Sequence, residues 1–135
     1  MIVLDTTVIV YALIEGAHTA LARKVMRLDP EWRVPGLWAH EFLNILVTYV
    51  RHDGMHPDHA ASLWRRANLL LAECTRPPAP LVALRIAIEY KIAAYDAEYL
   101  ALAQELGVRC VTADRALFRK VPSLAKSMEE FCAGL

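Results

Sequence analysis

The stretch MIVLDTTVIVYALI, residues 1–14, carries two structural signals in succession. Residues 2–5 form a short apolar run that closes on Asp5, which is typical of a parallel strand buried on both faces of a sheet. The residues that follow, 6–14, are predicted to form a helix, and a threonine is available for its N-cap. The chain is therefore expected to begin with a buried strand that leads directly into a helix.

Strands and helices alternate along the rest of the chain. Helices are predicted over residues 18–29, 36–51, 57–71, 81–91, 93–107 and 114–120, with a last helical turn or two in the tail at 127–135. Further strands are predicted at 32–35, 73–75 and 108–113. This alternation predicts a single α/β domain over residues 1–135, with a mainly parallel sheet, helices on both faces, and a site at the carboxyl ends of the strands.

Composition and charge exclude several classes of protein. Hydrophobic residues make up 56% of the 135-residue chain, which is long enough to bury a core without disulfides. The three cysteines are odd in number and widely spaced, as expected for buried thiols in a reducing compartment. A net charge of zero argues against a broadly basic nucleic-acid coat, and no apolar run approaches the ~18 residues of a membrane span. We therefore expect a soluble, cytoplasmic protein.

Two acids follow strands at the predicted carboxyl edge of the sheet. Asp5 ends the first strand, and Asp114 comes directly after the strand predicted at 108–113. Each acid alone has an ordinary explanation, because Asp5 could initiate the turn and Asp114 could cap the following helix. Together they predict two carboxylates that converge on one edge of the sheet.

The helix at 36–51 carries a polar stripe on an otherwise apolar element. Glu41, Asn44 and Thr48 share one face at i, i+3 and i+7, and none of them is Lys or Arg. A solvent-facing stripe on so apolar a helix would more often carry long charged side chains. The stripe is therefore either a narrow exposed seam or, as we favour, a set of polar groups directed at a site.

Asp96 is the fourth candidate, near the start of AAYDAEYLALAQELG, residues 93–107. At ~100° per residue, Asp96 falls on the apolar flank of this helix and not with Glu98 on its solvated side. The predicted apolar stripe consists of Tyr95, Tyr99, Leu102 and Leu106. An acid in a first helical turn can simply complement the helix dipole. The alternative is a carboxylate aimed into a site that distant segments complete.

Four carboxylates cannot cluster without compensation. Like charges a few ångströms apart repel, so a cluster of these acids would have to take up protons or cations. Oxygen ligands with no nearby His or Cys suit Mg²⁺ or Mn²⁺ better than zinc. Such ions retain waters that can be activated as nucleophiles, so the acids predict in-line hydrolysis of a phosphodiester.

The sequence resembles a PIN domain, and specifically the VapC-type toxin ribonucleases of bacterial and archaeal type II toxin–antitoxin systems. The resemblance rests on four segments that occur in order along the whole chain: IVLDTTVIVYAL, HEFLNIL, AAYDAEYLALAQELG and VRCVTADRAL. It implies a PIN-like sheet of about five parallel strands. It also implies a negatively charged pocket that holds one or two Mg²⁺ or Mn²⁺ ions.

The resemblance further implies functional residues, a substrate and partners. The acidic quartet of the family, which would be catalytic and metal-binding, matches Asp5, Glu41, Asp96 and Asp114. The family's supporting polar positions match Thr6 or Thr7, Asn44 and Thr112, whose hydroxyl or amide groups can orient a ligand or a water. The implied substrate is RNA, cut endonucleolytically by metal-activated water to leave a 3′-hydroxyl and a 5′-phosphate. The implied partners are a cognate antitoxin and a second copy of the chain.

Three further surface signals leave alternatives open. The helices around residues 37–50 and 57–71, with Trp38 and Trp64, are the predicted dimer surface, but both tryptophans could instead pack in the core. Arg115 could contact RNA phosphates near the site or could be an ordinary solvated charge. His52, His56 and His59 lack the spacing of a zinc motif and are predicted to lie in a surface turn.

The alternative to an enzyme is a PIN fold that binds RNA or protein with lost or negligible nuclease activity. The complete set of acids argues against it, because a pure binding surface has no reason to gather groups that repel phosphate. A phosphatase of the haloacid-dehalogenase type would need an acid two residues after Asp5, where Thr7 stands. The sequence therefore favours a metal-dependent ribonuclease.

Overall fold

The computed structural model describes all of residues 1–135, with strands and helices in alternation. The strands are β1 (Ile2–Leu4), β2 (Trp32–Arg33), β3 (Cys110–Thr112) and β4 (Ala125–Ser127). The helices are α1 (Thr6–Leu13), α2 (Thr19–Leu28), α3 (Leu37–His52), α4 (Pro57–Leu71), α5 (Pro80–Tyr90), α6 (Ala94–Leu106), α7 (Arg115–Lys120) and α8 (Met128–Cys132), with a 3₁₀ turn at Ala72–Cys74. None of the helices combines the length and the apolar character needed to cross a membrane.

The strands form one parallel sheet in the order β2–β1–β3–β4. The register pairs Val3 with Cys110 and Leu4 with Val111, so the two central strands end side by side. The amide of Asp5 donates to the carbonyl of Val111 at 3.0 Å and continues the pairing one residue past β1. The carboxyl ends of β1 and β3 therefore form a shared edge, as the sequence predicted.

The two outer positions of the sheet differ from the sequence prediction. The strand predicted at 73–75 is wrong, because residues 72–74 form a 3₁₀ turn and Thr75 makes only a single parallel bridge to Val34. The sequence did not predict β4, whose three residues include the polar Lys126 and Ser127 and which forms only by pairing with β3. The sheet thus has four strands and one isolated bridge, close to the expected number of about five.

Helices cover both faces of the sheet, as predicted. Ile2 and Leu4 point into a core built with α1, α2, α3, α4 and α8. Val3 points to the opposite face, into a core built with α5, α6 and α7. Because neighbouring side chains of a strand alternate between faces, the three apolar residues of β1 supply both cores.

Trp38 lies in the core and not on the predicted dimer surface. Its side chain is 3% exposed and stacks on Trp64 with ring centroids 5.3 Å apart. The indole Nε1 of Trp38 donates to the hydroxyl of Thr75 at 3.2 Å, which satisfies the buried donor. The tryptophan pair therefore packs α3 against α4, and only the half-buried Trp64 reaches the surface.

The remaining local expectations have mixed outcomes. The histidine-rich segment is an exposed turn, as predicted, and His56 caps α4 because its Nδ1 accepts a hydrogen bond from the amide of Asp58 at 3.0 Å. All three cysteines are free thiols. Cys110 is buried, whereas Cys74 and Cys132 are only half-buried because they lie near the ends of peripheral elements.

Candidate active site

The carboxylate of Asp5 is fixed at both of its oxygens. Asp5 follows β1 directly, is 5% exposed, and caps α1 because its Oδ1 accepts the amide of Thr6 at 2.9 Å. Its Oδ2 accepts the hydroxyls of Thr7 at 2.8 Å and Thr112 at 2.7 Å. Asp5 therefore initiates the turn, as the alternative interpretation of the sequence held, and it also lies at the carboxyl edge of the sheet.

The same two threonines hold the segment after β3. The hydroxyl of Thr7 accepts the amide of Ala113 at 3.0 Å, and that of Thr112 accepts the amide of Asp114 at 3.0 Å. Asp114 in turn caps α7, because its Oδ1 accepts the amide of Leu117 at 3.3 Å. Each threonine therefore donates to Asp5 and accepts from the backbone next to the second acid, which couples the positions of the two acids.

Glu41 is held by two hydroxyls from different elements. Its Oε1 accepts the hydroxyl of Thr6 at 2.9 Å and that of Tyr99 at 2.6 Å, and the two hydroxyls also contact each other. Burial, followed by the negative charge of Glu41, raises the pKa of Tyr99, so the phenol remains a proton donor. Because α3 and α6 lie on opposite faces of the sheet, this contact joins the two layers at the carboxyl edge.

Sequence reasoning missed the polar role of Tyr99. It placed Tyr99 in an apolar stripe, and the ring is indeed fully buried, but the hydroxyl reaches Glu41. The available signal was the spacing, because Tyr99 lies three residues after Asp96 and so on the same side of α6. The prediction that Tyr95 belongs to the same apolar stripe is wrong, because Tyr95 lies in the first turn of α6 and is 65% exposed.

Four acids influence one another electrostatically at this edge. The pKa of Asp5 is raised to about 6, chiefly by burial and also by the charges of Glu41 and Asp96. The hydrogen bonds from Thr112 and Thr7 act in the opposite direction. The pKa of the half-buried Asp96 is raised by desolvation and then by the charges of Asp114 and Glu41. Each acid therefore lies close enough to at least one other for their like charges to interact.

No basic side chain neutralises this cluster. None of the four acids takes part in an ion pair, although four ion pairs occur elsewhere in the chain. The side chains do not form a ready-made group of three or more carboxylate, imidazole or thiol ligands around one point. The donor chemistry nevertheless fits Mg²⁺ or Mn²⁺, since the groups are oxygen ligands whose charges lack a partner.

The structure places several predicted residues outside this hydrogen-bonded network, and Asp96 itself approaches the other acids without a hydrogen bond. Asn44 is exposed and lies with Glu41 and Tyr95 in a surface depression, and it makes no side-chain hydrogen bond to the acids. The hydroxyl of Thr48 donates to the carbonyl of Asn44 at 3.0 Å on the exposed part of the stripe. Arg115 is exposed, follows Asp114 directly and lines a separate cavity.

A sequence profile of the PIN domain family matches residues 2–124. The chain belongs to the PIN domain family. This PIN domain is 27% identical over 131 residues to Ribonuclease VapC3 of Pyrobaculum aerophilum, an alignment that covers 91% of this chain and 96% of that protein. The resemblance to PIN domains, and among them to VapC proteins, is therefore confirmed.

Solved structures show the same fold. The crystal structure of PAE2754 from Pyrobaculum aerophilum matches with a TM-score of 0.73 at 23% identity, and covers 98% of this chain and 93% of that one. A toxin–antitoxin complex from Klebsiella pneumoniae contains a chain that matches with a TM-score of 0.69 at 17% identity, covering 95% and 98% of the two chains. This PIN domain therefore shares its overall fold with these solved structures.

We predict that Asp5→Asn removes part of the pH dependence of stability in metal-free protein. Because the pKa of Asp5 rises from its ordinary 3.8 to about 6 on folding, its ionisation disfavours the folded state. Its stabilising contribution is complete below the unfolded pKa and is lost as the pH rises through the folded pKa. Between about pH 4 and about pH 7, the free energy of unfolding of wild type should fall on the order of 2 kcal/mol further than that of Asp5→Asn.

The measurement is urea unfolding in EDTA across this pH range. Asp53→Asn serves as the matched control, because Asp53 is an exposed aspartate at the end of α3. It should follow the wild-type curve. An Asp5→Asn curve parallel to that of wild type would contradict the assigned burial of this charge.

Proposed function

We propose that this PIN domain is a Mg²⁺- or Mn²⁺-dependent endoribonuclease and the toxin of a toxin–antitoxin pair. The observation that carries the proposal is the gathering of four acids at the carboxyl edge of the sheet without a basic partner. Its similarity to Ribonuclease VapC3 supports RNA as the substrate. Its fold likeness to a chain of a toxin–antitoxin complex agrees with the proposed biological context.

The residues proposed to hold the cation are Asp5, Glu41, Asp96 and Asp114, whose oxygens are the ligands that these ions prefer. A bound ion of this kind polarises a phosphoryl oxygen and lowers the pKa of a coordinated water. The chain supplies the positioning, because two threonines fix Asp5 while Thr6 and Tyr99 fix Glu41. Such hydroxyl contacts restrict how far each carboxylate can turn away from the site.

Asp96 is proposed to accept the proton of the attacking water. Its half-buried carboxylate receives no hydrogen bond from the rest of the chain, so an oxygen that is not bound to the cation is free to accept a proton from a nearby water. The water oxygen would bond to phosphorus as the bond to the 3′ oxygen breaks. The 3′ oxygen would take a proton from bulk water as it leaves, and Asp96 would return its proton to solvent. The products would be the 3′-hydroxyl and 5′-phosphate ends that the family resemblance implies.

We predict that purified protein cleaves total RNA into discrete products with Mg²⁺ or Mn²⁺ and not in EDTA. Asp96→Asn should lower the rate by about two orders of magnitude or more, because it removes the proposed base and a cation ligand. Glu105→Gln is the matched control, since Glu105 is an exposed acid on the same helix. Equal loss in both variants, or cleavage that persists in EDTA, would contradict the proposal.

A cavity between α1, α2 and α4 is the proposed contact for the antitoxin. It encloses about 270 Å³ and combines apolar side chains with three arginines. Its apolar members include Leu13, Met26 and Trp32. Of its arginines, Arg27 and Arg66 make no ion pair, whereas Arg23 pairs with Glu15 at 2.9 Å. An apolar floor with a cationic rim complements an amphipathic segment that carries carboxylates.

The antitoxin proposal predicts that a small protein encoded beside this chain inhibits its RNA cleavage. The double variant Arg27→Glu/Arg66→Glu should weaken that inhibition by about tenfold or more, because it reverses two charges of the rim. Arg65→Glu, a neighbour on α4 that does not line the cavity, should be inhibited like wild type. The proposal fails if the adjacent protein does not inhibit, or if both variants are inhibited equally.

An apolar stripe on α5 is the proposed contact between two copies of the chain. Leu81, Leu84 and Ile88 recur at i, i+3 and i+7 and are 78%, 53% and 70% exposed. A stripe of this spacing presents a continuous face that a second copy can cover. The surface predicted on α3 and α4 is the alternative contact, since Leu43 and Val47 are exposed there although Trp38 is buried.

We expect a dimer by light scattering that Leu84→Lys converts to a monomer, because a charge in the middle of the stripe cannot be paired there. Val47→Lys is the matched control on α3, where Val47 is 41% exposed. It should leave the dimer intact. A dimer broken by Val47→Lys and not by Leu84→Lys would restore the surface predicted from sequence.

A further inference from the structure

A cavity of about 330 Å³ lies beside the acidic cluster and is lined from three helices. Its side chains are Tyr11 of α1 and His18 of the following turn, Arg115 and Phe118 of α7, and Met128 and Glu129 of α8. None of the four acids lines it. It is therefore a compartment next to the proposed catalytic site and not part of it.

The cavity shares backbone with the acidic cluster. Ala113 lines it and stands between Thr112 and Asp114, and the amide of Ala113 donates to the hydroxyl of Thr7. Tyr11 follows Thr7 by four residues, one turn further along the same face of α1. A polymeric substrate at the acids would therefore extend naturally into this cavity.

The lining is chemically suited to a flat, unsaturated ring. The rings of Tyr11 and His18 lie 4.8 Å apart at 38° and present aromatic surface, to which Phe118 adds a third ring. The exposed Arg115 makes no ion pair, so its guanidinium plane is available for stacking or hydrogen bonding. Single-stranded RNA bases bind proteins through such aromatic and guanidinium planes.

Phosphate is a poorer match than a base for the same cavity. Arg115 is its one permanently cationic residue, and the carboxylate of Glu129 lies on the same lining and would repel a phosphate. A carboxylate can instead accept a hydrogen bond from the exocyclic amine of a base. The volume lies at the lower end of the range for small-ligand pockets, which suits one base better than a larger group.

We propose that this cavity holds one unpaired base of the RNA, next to the phosphodiester that is cut. The proposal rests on the ribonuclease function proposed above and adds a specificity element to it. The base would stack on His18 and Tyr11 and pair its edge with Arg115 or Glu129. Cleavage would then favour single-stranded sites with a preferred base beside the cut.

The test measures RNA binding separately from cleavage. In an Asp96→Asn background, the affinity for a short single-stranded RNA of mixed sequence is followed by fluorescence anisotropy. His18→Ala/Arg115→Ala should weaken binding by about fivefold or more, because it removes one stacking ring and the guanidinium. His18 makes no side-chain capping bond, and both residues are exposed, so the variant should fold.

Two controls separate stacking from charge. His18→Phe keeps an aromatic ring and should bind close to the parent, whereas His18→Ala should not. Arg109→Ala removes an equal charge at the amino end of β3, on the opposite edge of the sheet, and should leave the affinity unchanged. Equal losses in Arg109→Ala and Arg115→Ala would overturn the proposal in favour of general electrostatic attraction.

Cleavage mapping distinguishes this proposal from the nuclease proposal. In the active background, His18→Ala/Arg115→Ala should still cut RNA but should lose the base preference next to the cut, as read by sequencing the 5′ ends. If this variant cuts RNA in a metal-dependent way with unchanged base preference and unchanged affinity, the base pocket is overturned. The nuclease proposal is then unaffected. RNA binding that His18→Ala/Arg115→Ala weakens and Arg109→Ala does not, in a protein that cuts no RNA, would overturn the nuclease proposal and support the base pocket. No RNA binding at all would overturn the pocket.

Discussion

The burial of one carboxylate, Asp5, at the end of the central strand is the constraint on which the site depends. A buried charge must be hydrogen-bonded, and Asp5 receives the amide of the next residue and two threonine hydroxyls. The same hydroxyls of Thr7 and Thr112 each accept a backbone amide that follows β3, which also holds the two threonines in place. The hydrogen bonds that satisfy Asp5 thus also position the segment that carries Asp114.

Tyr99 performs the corresponding task between the two layers of helices. Its ring fills the core beneath α6 while its hydroxyl meets Glu41 from α3 and Thr6 from α1. An amphipathic side chain of this kind can satisfy packing and hydrogen bonding at once. A phenylalanine would fill nearly the same volume but would leave Glu41 with one hydroxyl donor.

The site concentrates negative charge in a chain whose net charge is zero. Burial and repulsion both raise the pKa of Asp5 and of Asp96, so the ionised cluster disfavours the folded state in the absence of a cation. Other surface regions differ in chemistry: three arginines line the cavity between α1, α2 and α4, and aromatic rings line the cavity next to Ala113 and Arg115. The surface thus contains regions of distinct chemistry, to which the separate contacts for cation, RNA and partner are proposed.

The sequence by itself determined the α/β class, the strands β1 and β3, the helices and the arrival of the acids at one edge. These features follow from local periodicity and from the order of elements, which a single chain displays directly. Only the tertiary structure decided that Ala125–Ser127 forms an edge strand, that Trp38 is buried, that Tyr99 holds Glu41 and that Asn44 stays outside the network. Each of these depends on a partner brought close by folding, and no local pattern encodes which distant residue that will be.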